Sequence, residues 1–407
     1  MFREQNKNFL KPEKAPQAMS SDSWNILMVV LSTVAPDVRV EKEARYLASQ
    51  GHKVTVIGTN PKGKNLPTHE ERDGYTIKRV PSTKKAFFKY FEFWKNVRKT
   101  VNNQKFDIIH LHDLNVLPLA SKLRKNTRIS IYDSHENFPE QMSETFGLLG
   151  LWGYSLVERI YLKRVQGVIT AGITYSENIK RKYNTESIWI ANYPSKLDIE
   201  AAHKKEIPKE FGNKKRFRVV HFGVMYHNLG YDITVEAAKI LQEKLKASEI
   251  EFLVMGSGTS LEPMKQLISA YALEDYFTVT GWMDYHEALS IMRSCDIGLI
   301  LFQPGKNNFL RIPNRLYEYC SAGVPFIGSN FEGLKRSIVN REQLGILIDP
   351  TSPEELANAI YEVYQNNEQL DKMKKIASEA YENQFNWESE IPKLIEKYQE
   401  SFKSLNR

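Results

Sequence analysis

The chain has 407 residues, and 56 Lys and Arg against 49 Asp and Glu give it a formal net charge of +7. A hydrophobic share of 42% with 26% charged residues is typical of a folded chain and excludes a disordered one. At about 150 residues per domain, the length favours two or three domains with separate cores. The two cysteines, Cys295 and Cys320, lie beside apolar stretches, so we expect packing residues rather than a disulfide framework or a metal site.

The N-terminal segment 1–23 mixes charge, proline and serine without an apolar core. It does not match a secretory signal peptide, and it predicts a disordered leader. The longest apolar runs, 26–31 and 297–302, are much shorter than the roughly 18 residues of a membrane-spanning helix. We therefore expect a cytoplasmic protein.

After the leader, residues 24–195 alternate short β-rich runs with segments of helical spacing. This alternation predicts an α/β domain with a doubly wound, Rossmann-like parallel sheet. A helix is predicted at 40–50. Strands are predicted at 25–31, 53–58, 77–80, 108–112, 129–133, 168–171 and 187–190.

Residues 196–216 lose the alternation and carry charges and breakers, which predicts an interdomain linker. The alternation restarts over 217–385, a second Rossmann-like domain, and we expect a C-terminal helix in 386–407 that packs towards the first domain. Ligands of such sheets bind at the carboxyl ends of the strands, here in a cleft between the domains. Strands are predicted at 218–222, 251–255, 277–280, 297–302, 325–328 and 345–348, and a helix at 353–366.

The segment 311–329 carries the clearest sign of a phosphate site. Pro313 suits the first turn of a helix, so the N–H groups of Asn314, Arg315 and Leu316 would point out of the helix start. The helix dipole favours an anion there, and Arg311 and Arg315 add full positive charge. The pattern predicts a binding site for a diphosphate.

Glu318 follows Asn314 by four residues and lies on roughly the same helix face. Its carboxylate could accept hydrogen bonds from the two hydroxyls of a ribose. The alternative is an ordinary capped helix with a surface carboxylate.

Residues 313–327 have the sequence Pro-Asn-Arg-Leu-Tyr-Glu-Tyr-Cys-Ser-Ala-Gly-Val-Pro-Phe-Ile. This segment resembles the signature Pro-Asn-Lys-Leu-Phe-Glu-Tyr of a bacterial subgroup of retaining GT-B glycosyltransferases, in glycosyltransferase family 4. Taken together, the matching segments cover nearly the whole chain after the leader. Further matches lie at 37–44, 51–57, 107–113, 132–136, 192–194, 221–223 and 256–258.

The resemblance implies a GT-B fold and assigns Glu318 to the ribose of a nucleotide-sugar donor. The family's first paired glutamate is replaced by Leu310 here. Many relatives carry a diphosphate-binding arginine and lysine after the second domain's first strand, where this chain has Val224, directly after Gly223, and Leu229. We expect Gly223 to lie at the donor.

The two missing cations leave two alternatives. Either the donor site has lost affinity, or Arg311, Arg315 and His227 supply the charge instead.

On the acceptor side, the resemblance implies that His112 contacts the transferred sugar. Asp113 follows His112 directly in the chain and is expected to meet the acceptor. The alternative for His112 is a core histidine, because His110 lies on the same strand face. His135 follows the next strand and is expected either at the same cleft or bonded to loop backbone.

Asp37 and Arg39 lie in the first strand-to-helix loop, which faces the cleft in a doubly wound fold. Asp37 is expected to meet the acceptor or to cap the helix. Arg39 is the stronger candidate for acceptor binding.

The sequence has no Asp-x-Asp pair, no P-loop and no His/Cys ligand cluster, so we expect neither a metal nor another cofactor. Residues 84–99 carry six basic residues and one acidic residue among six aromatic ones. Such a composition at 84–100 suits a helix on an anionic membrane, or else an ordinary helix with its aromatics in the core. No nucleic-acid motif accompanies it.

We therefore predict a metal-independent retaining hexosyltransferase. It would move sugar from a UDP- or GDP-sugar to a glycan or lipid-linked glycan acceptor, in the assembly of capsule, O-antigen or another surface polysaccharide. A nucleotide-sugar 2-epimerase and a non-catalytic binding protein of the same architecture remain alternatives.

Overall fold

The computed structural model describes residues 23–83, 87–212, 216–305, 308–338 and 343–406. The predicted leader, except for Ser23, lies outside the described residues, as do Lys84 and Lys85 of the basic segment. The described chain forms two parallel sheets with helices on both faces.

The first unit is built on an eight-stranded sheet with the order β3-β4-β2-β1-β5-β6-β7-β8. Every neighbouring pair is parallel except β3 and β4, and β3 is a strand that the sequence analysis missed. Its strands are β1 (Asn25–Val29), β2 (Lys53–Pro61), β3 (His69–Arg72), β4 (Tyr75–Ser82), β5 (Phe106–His112), β6 (Thr127–Ser134), β7 (Gly167–Thr170) and β8 (Ile188–Trp189). Its helices are α1 (Val38–Ser49), α2 (Phe88–Thr100), α3 (Leu119–Lys122), α4 (Phe138–Leu162) and α5 (Ile173–Tyr183).

The second unit has a six-stranded, all-parallel sheet with the order β11-β10-β9-β12-β13-β14. Its strands are β9 (Phe217–Phe222), β10 (Ile250–Met255), β11 (Phe277–Gly281), β12 (Ile297–Ile300), β13 (Phe326–Ser329) and β14 (Gly345–Ile348). Its helices are α6 (Lys196–Lys204), α7 (Lys209–Gly212), α8 (Tyr231–Glu243), α9 (Leu261–Ala270), α10 (Tyr285–Met292), α11 (Asn314–Ser321), α12 (Glu332–Ser337), α13 (Pro353–Gln365) and α14 (Asn367–Asn383). Two further helices, α15 (Trp387–Glu390) and α16 (Pro392–Lys403), follow at the C-terminal end of the described chain.

Side chains of β1 show why the first sheet is covered on both faces. Ile26 and Met28 belong to one buried cluster and Leu27 and Val29 to another, as the two-residue period of a strand requires. The first cluster also contains Trp387, Leu394 and Tyr398, so α15 and α16 pack on the first unit.

The stretch 196–216, predicted as a linker, instead holds α6 and α7. Ser195 caps α6, and His286 Nε2 lies 3.2 Å from Asp198 Oδ1, which ties α6 to α10. The chain passes between the two units twice, once before α6 and once before α15. A hydrogen bond of 3.0 Å from Trp387 N to Pro194 O joins these two crossing segments. Among the described helices, none is long and apolar enough to span a membrane.

Candidate functional site

The loops after β9 and β10 pack backbone against backbone at the carboxyl edge of the second sheet. A Cβ added to Gly256 would lie 1.9 Å from Gly223 O, and one added to Gly258 would lie 2.3 Å from Met225 O. Gly223 has φ 116°, a conformation that side chains rarely adopt. Gly256 and Gly258 keep both loops close, since side chains at their positions would collide with the facing backbone.

Helix α11 begins at Asn314, one residue later than the predicted start, because Pro313 has extended backbone and precedes the first turn. Asn314 is exposed there. Leu316 differs from its predicted role in donor binding: its side chain is fully buried, and its N–H donates to Pro313 O over 3.2 Å. The helix start therefore has fewer free N–H groups than the sequence predicts.

Arg315 extends from α11 to the loop after β9. Its Nη2 is 3.1 Å from the position of a Cβ on Gly223. Its positive charge opposes the burial that raises the pKa of Tyr231, whose phenol donates to Val224 O over 3.2 Å. Tyr231 stacks on His221 at 4.0 Å. The cation thus lies against the glycine loop, near a packed aromatic pair.

Glu318 lies one turn deeper on α11 and is half-buried. Burial raises its pKa to about 6, although Arg315, a hydrogen bond from Tyr285 and the ammonium of Lys42 oppose that shift. Arg315 and Glu318 therefore present a positive and an acidic group side by side at the cleft.

The two other predicted donor cations lie at the edges of this site. Arg311 is exposed, 5.4 Å from the ring of Phe302, and its charge opposes the burial that raises the pKa of Tyr175 on α5. His227 is exposed in the loop after β9. Val224 is also exposed in that loop.

On the first unit, His112 ends β5 and His135 follows β6. His112 is fully buried, and its Nδ1 lies 3.1 Å from Nε2 of His135. His135 is 17% exposed, and Asp113 accepts a hydrogen bond from its backbone N–H. Burial alone would lower the pKa of His135, but Asp113 and Asp133 outweigh it and raise the pKa to about 9. The ring is therefore cationic at neutral pH.

His110 lies two residues before His112 on the same strand face, which was the reason to consider His112 a core histidine. His110 is fully buried and bonds Tyr398 Oη through Nδ1 at 2.7 Å. Its ring stacks on that of His112 at 4.3 Å.

Asp37 caps α1, which was one of the two roles expected for it. Its side chain accepts hydrogen bonds from Val40 N and from Ser32 Oγ. Arg39 differs from its expected role as a ligand for the acceptor, since it is only 4% exposed. Nε and Nη2 of Arg39 hold both carboxylate oxygens of Asp133 at 2.9 Å, and Nη1 donates to Ile190 O at 2.8 Å. Its donors are thus already used within the protein.

Four residues of the described chain could supply metal ligands, namely Glu43, His110, His112 and Asp133. The sequence analysis expected no such cluster, and the structure corrects it. However, Arg39 Nε lies 2.9 Å from Asp133 and 3.3 Å from Glu43, so a fixed positive charge already balances the carboxylates. A metal ion would have to displace this guanidinium.

Lys42, which the sequence analysis did not single out, joins the two units. It is 4% exposed, its Nζ donates to Tyr193 O, and it lies 4.8 Å from the centre of the Trp387 ring. Burial lowers its pKa to about 7, with Asp198 and Glu318 acting in the opposite direction. Its burial depends on contacts with Tyr193 and Trp387, which no spacing along the chain reveals.

Further contacts between the units flank the cleft. Thr174 Oγ1 donates to Leu310 O over 3.3 Å, and Arg336 pairs with Glu177 at 2.7 Å. The helix start that follows Leu310 is therefore held against α5 of the first unit.

Two α/β units with parallel sheets and a cleft at their strand ends define the GT-B class. Residues 37–190 match the family model described as Glycosyltransferase Family 4, and residues 203–380 match the model described as Glycosyl transferases group 1. The chain belongs to the GT-B glycosyltransferases that combine these two domains.

Known proteins with similar sequences are also glycosyltransferases. An uncharacterized glycosyltransferase of Methanocaldococcus jannaschii is 27% identical over 205 residues, so the match spans about half of either protein, 49% of this chain and 48% of the relative. The 2-deoxystreptamine N-acetyl-D-glucosaminyltransferase of Niallia circulans is 24% identical over 81% of this chain and 88% of its own length.

The fold also matches solved structures. Anabaena HepE in complex with UDP superposes with a TM-score of 0.70 at 15% identity, covering 92% of this chain and 99% of HepE.

Proposed function

We propose that this glycosyltransferase moves a hexose from a UDP- or GDP-sugar to a glycan acceptor, with retention of anomeric configuration and without a metal ion. The observation that carries this proposal is the pairing of Arg315 and Glu318 on α11, beside the backbone of Gly223. The donor would bind to the second unit and the acceptor to the first.

On the donor, Arg315, Arg311 and the N–H of Asn314 hold the diphosphate, while the Glu318 carboxylate accepts hydrogen bonds from the ribose hydroxyls. Fixed cations and N–H groups stabilise the charge that develops on the leaving diphosphate. The structure of HepE with UDP supports a nucleoside diphosphate in a site on this fold.

At the sugar, the bond between C1 and the diphosphate oxygen breaks while the acceptor oxygen bonds C1 from the same face. The acceptor proton passes to the departing diphosphate oxygen, so no protein base is needed. The cationic ring of His135, held by Asp113, lies at the acceptor side of the cleft and orients the incoming hydroxyl group. His112 contacts His135 and fixes its position.

The acceptor is a glycan, carried on a lipid in the assembly of a surface polysaccharide. The basic and aromatic segment 84–100 supports a membrane location. The alternative was an ordinary helix with its aromatic side chains in the core, and Phe93 is buried as that alternative requires. However, Phe87, Phe88 and Phe91 are exposed, whereas the alternative places Phe87 and Phe91 in the core.

Calorimetry with UDP, GDP and the matching nucleosides tests the donor site. One diphosphate should bind, and its nucleoside should bind at least about tenfold more weakly, because the charged contacts are lost. Without acceptor, the corresponding nucleotide sugar should be hydrolysed slowly, and EDTA should not change the rate. NMR should show that the released sugar keeps the anomeric configuration of the donor. Binding of no diphosphate would contradict the donor assignment, and a rate that EDTA abolishes would contradict the metal-free mechanism.

A further inference from the structure

The outward side of α4 in the first unit is apolar, although it faces solvent. Six large hydrophobic side chains of this helix are exposed, and we call them the α4 stripe. They are Phe146, Leu148, Leu149, Trp152, Leu156 and Ile160, with Leu149 84% and Trp152 71% exposed.

Four of these residues share one face of the helical segment that follows the kink at Gly147. Leu149, Trp152, Leu156 and Ile160 follow one another by three or four residues, which places them along one side of a helix. The other side of α4 packs on the core of the first unit through Tyr154 and its neighbours. A contiguous apolar surface that is not used by the core marks an interaction site.

The N-terminal turn of α2 adds to this surface. Phe87, Phe88 and Phe91 are exposed, and the rings of Phe87 and Phe91 meet at 5.1 Å. Trp94 of α2 and Tyr154 of α4 both pack on the same buried cluster, so the two helices cover the same face of the first sheet.

The charges around the stripe are predominantly positive. Glu140 pairs with Lys182 at 2.6 Å, and Glu158 is buried and accepts from Tyr132, so neither of these acids of α4 offers a free negative charge. The cation of Lys122 lies 5.6 Å from the ring of Trp94. Arg159, between Leu156 and Ile160, is an exposed cation on α4 itself, and Lys163 and Arg164 are exposed directly after it. Helix α2 carries the exposed cations Lys95, Arg98 and Lys99.

We propose that the α4 stripe and the exposed aromatic turn of α2 dock the first unit on an anionic lipid bilayer. Apolar side chains that enter the acyl boundary, flanked by cations that meet lipid phosphates, are the physical basis of such docking. A second copy of the chain suits this surface less well, because a twofold contact would bring the same cations together.

This docking extends the proposed function by placing it at a membrane. Helix α4 begins three residues after His135 and is broken by a kink at Gly147, where φ is 61°. The segment before the kink therefore connects the acceptor side of the cleft to the part of α4 that would lie on the bilayer. A sugar carried on a lipid would then reach the cleft without leaving the membrane.

Vesicle co-sedimentation of the full-length chain tests the inference without any sugar donor. Wild type should bind vesicles of phosphatidylcholine and phosphatidylglycerol at low salt, and about tenfold more weakly in high salt or with phosphatidylcholine alone. The double variant L149Q/W152Q should bind at least about tenfold more weakly, since it loses two inserted side chains. Both residues are so exposed that the fold should be unaffected, which thermal unfolding verifies.

The matched control is L197Q, which alters an exposed leucine on α6, outside the stripe. It should bind like wild type. Absence of wild-type binding at low salt, or undiminished binding by L149Q/W152Q, would overturn the docking surface. So would a wild-type dimer in sedimentation velocity that L149Q/W152Q dissociates. Hydrolysis of nucleotide sugar by the same samples in buffer separates this outcome from a failure of the donor site.

Discussion

Arg315 of α11 lies against the backbone of Gly223, with its Nη2 3.1 Å from the point where a Cβ on that glycine would be. Val224, the next residue, occupies the place at which many family 4 relatives carry a diphosphate-binding arginine. A positive charge nevertheless lies against that loop, carried by a helix about ninety residues further along the chain. This favours charge compensation over a lost donor site.

The variant Arg315→Gln tests this compensation. We expect it to weaken binding of the nucleoside diphosphate by at least about tenfold, because a charged hydrogen bond to phosphate is lost, while the nucleoside is affected less than about twofold. Calorimetry with both ligands measures the difference. Lys265→Gln, which breaks a surface ion pair with Glu262 on α9, is the control and should leave both affinities unchanged. Equal losses for nucleoside and diphosphate in Arg315→Gln would show that the cation does not contact phosphate.

Glu318→Gln should separate stability from donor binding. The carboxyl pKa rises from 4.5 to about 6 on folding, so the folded state holds the proton more tightly than the unfolded state. The free energy of unfolding should therefore fall between pH 4.5 and 6, by about 2 kcal/mol, and stay lower above pH 6. Glutamine does not ionise, so the variant should lack this decrease and be more stable than wild type at pH 7.

The same variant should lose most of its affinity for the diphosphate, because an amide is a weaker acceptor for two ribose hydroxyls than a carboxylate. Wild-type affinity should also fall below pH 6, as Glu318 takes up a proton. Denaturant unfolding at several pH values and calorimetry measure the two effects. A variant that binds the diphosphate as well as wild type would remove Glu318 from the donor site.

Gly256→Ala should destabilise the second unit strongly. Its Cβ would lie 1.9 Å from Gly223 O, a backbone atom, and φ is 158°. Since the loops must separate, we expect a loss of at least about 2 kcal/mol. Gly63→Ala is the control, because φ is 90° there and nothing lies within 4 Å of the added Cβ. It should cost only about 1 kcal/mol of backbone strain. Equal unfolding free energies for the two variants would argue against loop contact.

The regular elements could be predicted because parallel strands that are covered on both faces are continuous apolar runs. Strand β14 matches its predicted range, and the others differ mainly at their ends. Strand β3, His69–Arg72, was missed because it is an edge strand of four polar residues with no apolar pattern. Helices α6 and α7 were missed because charge and proline were taken as signs of a linker, whereas Ser195 and the contact with α10 stabilise α6.

The candidate site could be predicted only in part. The pairing of Arg315 with Gly223 depends on tertiary distance, which no spacing along the chain reveals. The sequence placed Arg39 near the cleft but could not show that its partner would be Asp133, a residue 94 positions away. The role of Lys42 between the units was hidden for the same reason.

Arg39→Met tests whether this arginine supports the fold or binds the acceptor. Its guanidinium holds both oxygens of the buried Asp133 and lies 3.3 Å from the buried Glu43. Methionine would leave two buried carboxylates without their cation, so we expect the free energy of unfolding to fall by about 3–5 kcal/mol. The double variant Arg39→Met/Asp133→Asn removes one of these charges, and it should recover part of the loss. Denaturant unfolding of wild type, both single variants and the double variant gives the coupling between the residues. If Arg39→Met instead kept wild-type stability and weakened only acceptor use, Arg39 would be a ligand of the acceptor, and its buried pairing would have little energetic weight.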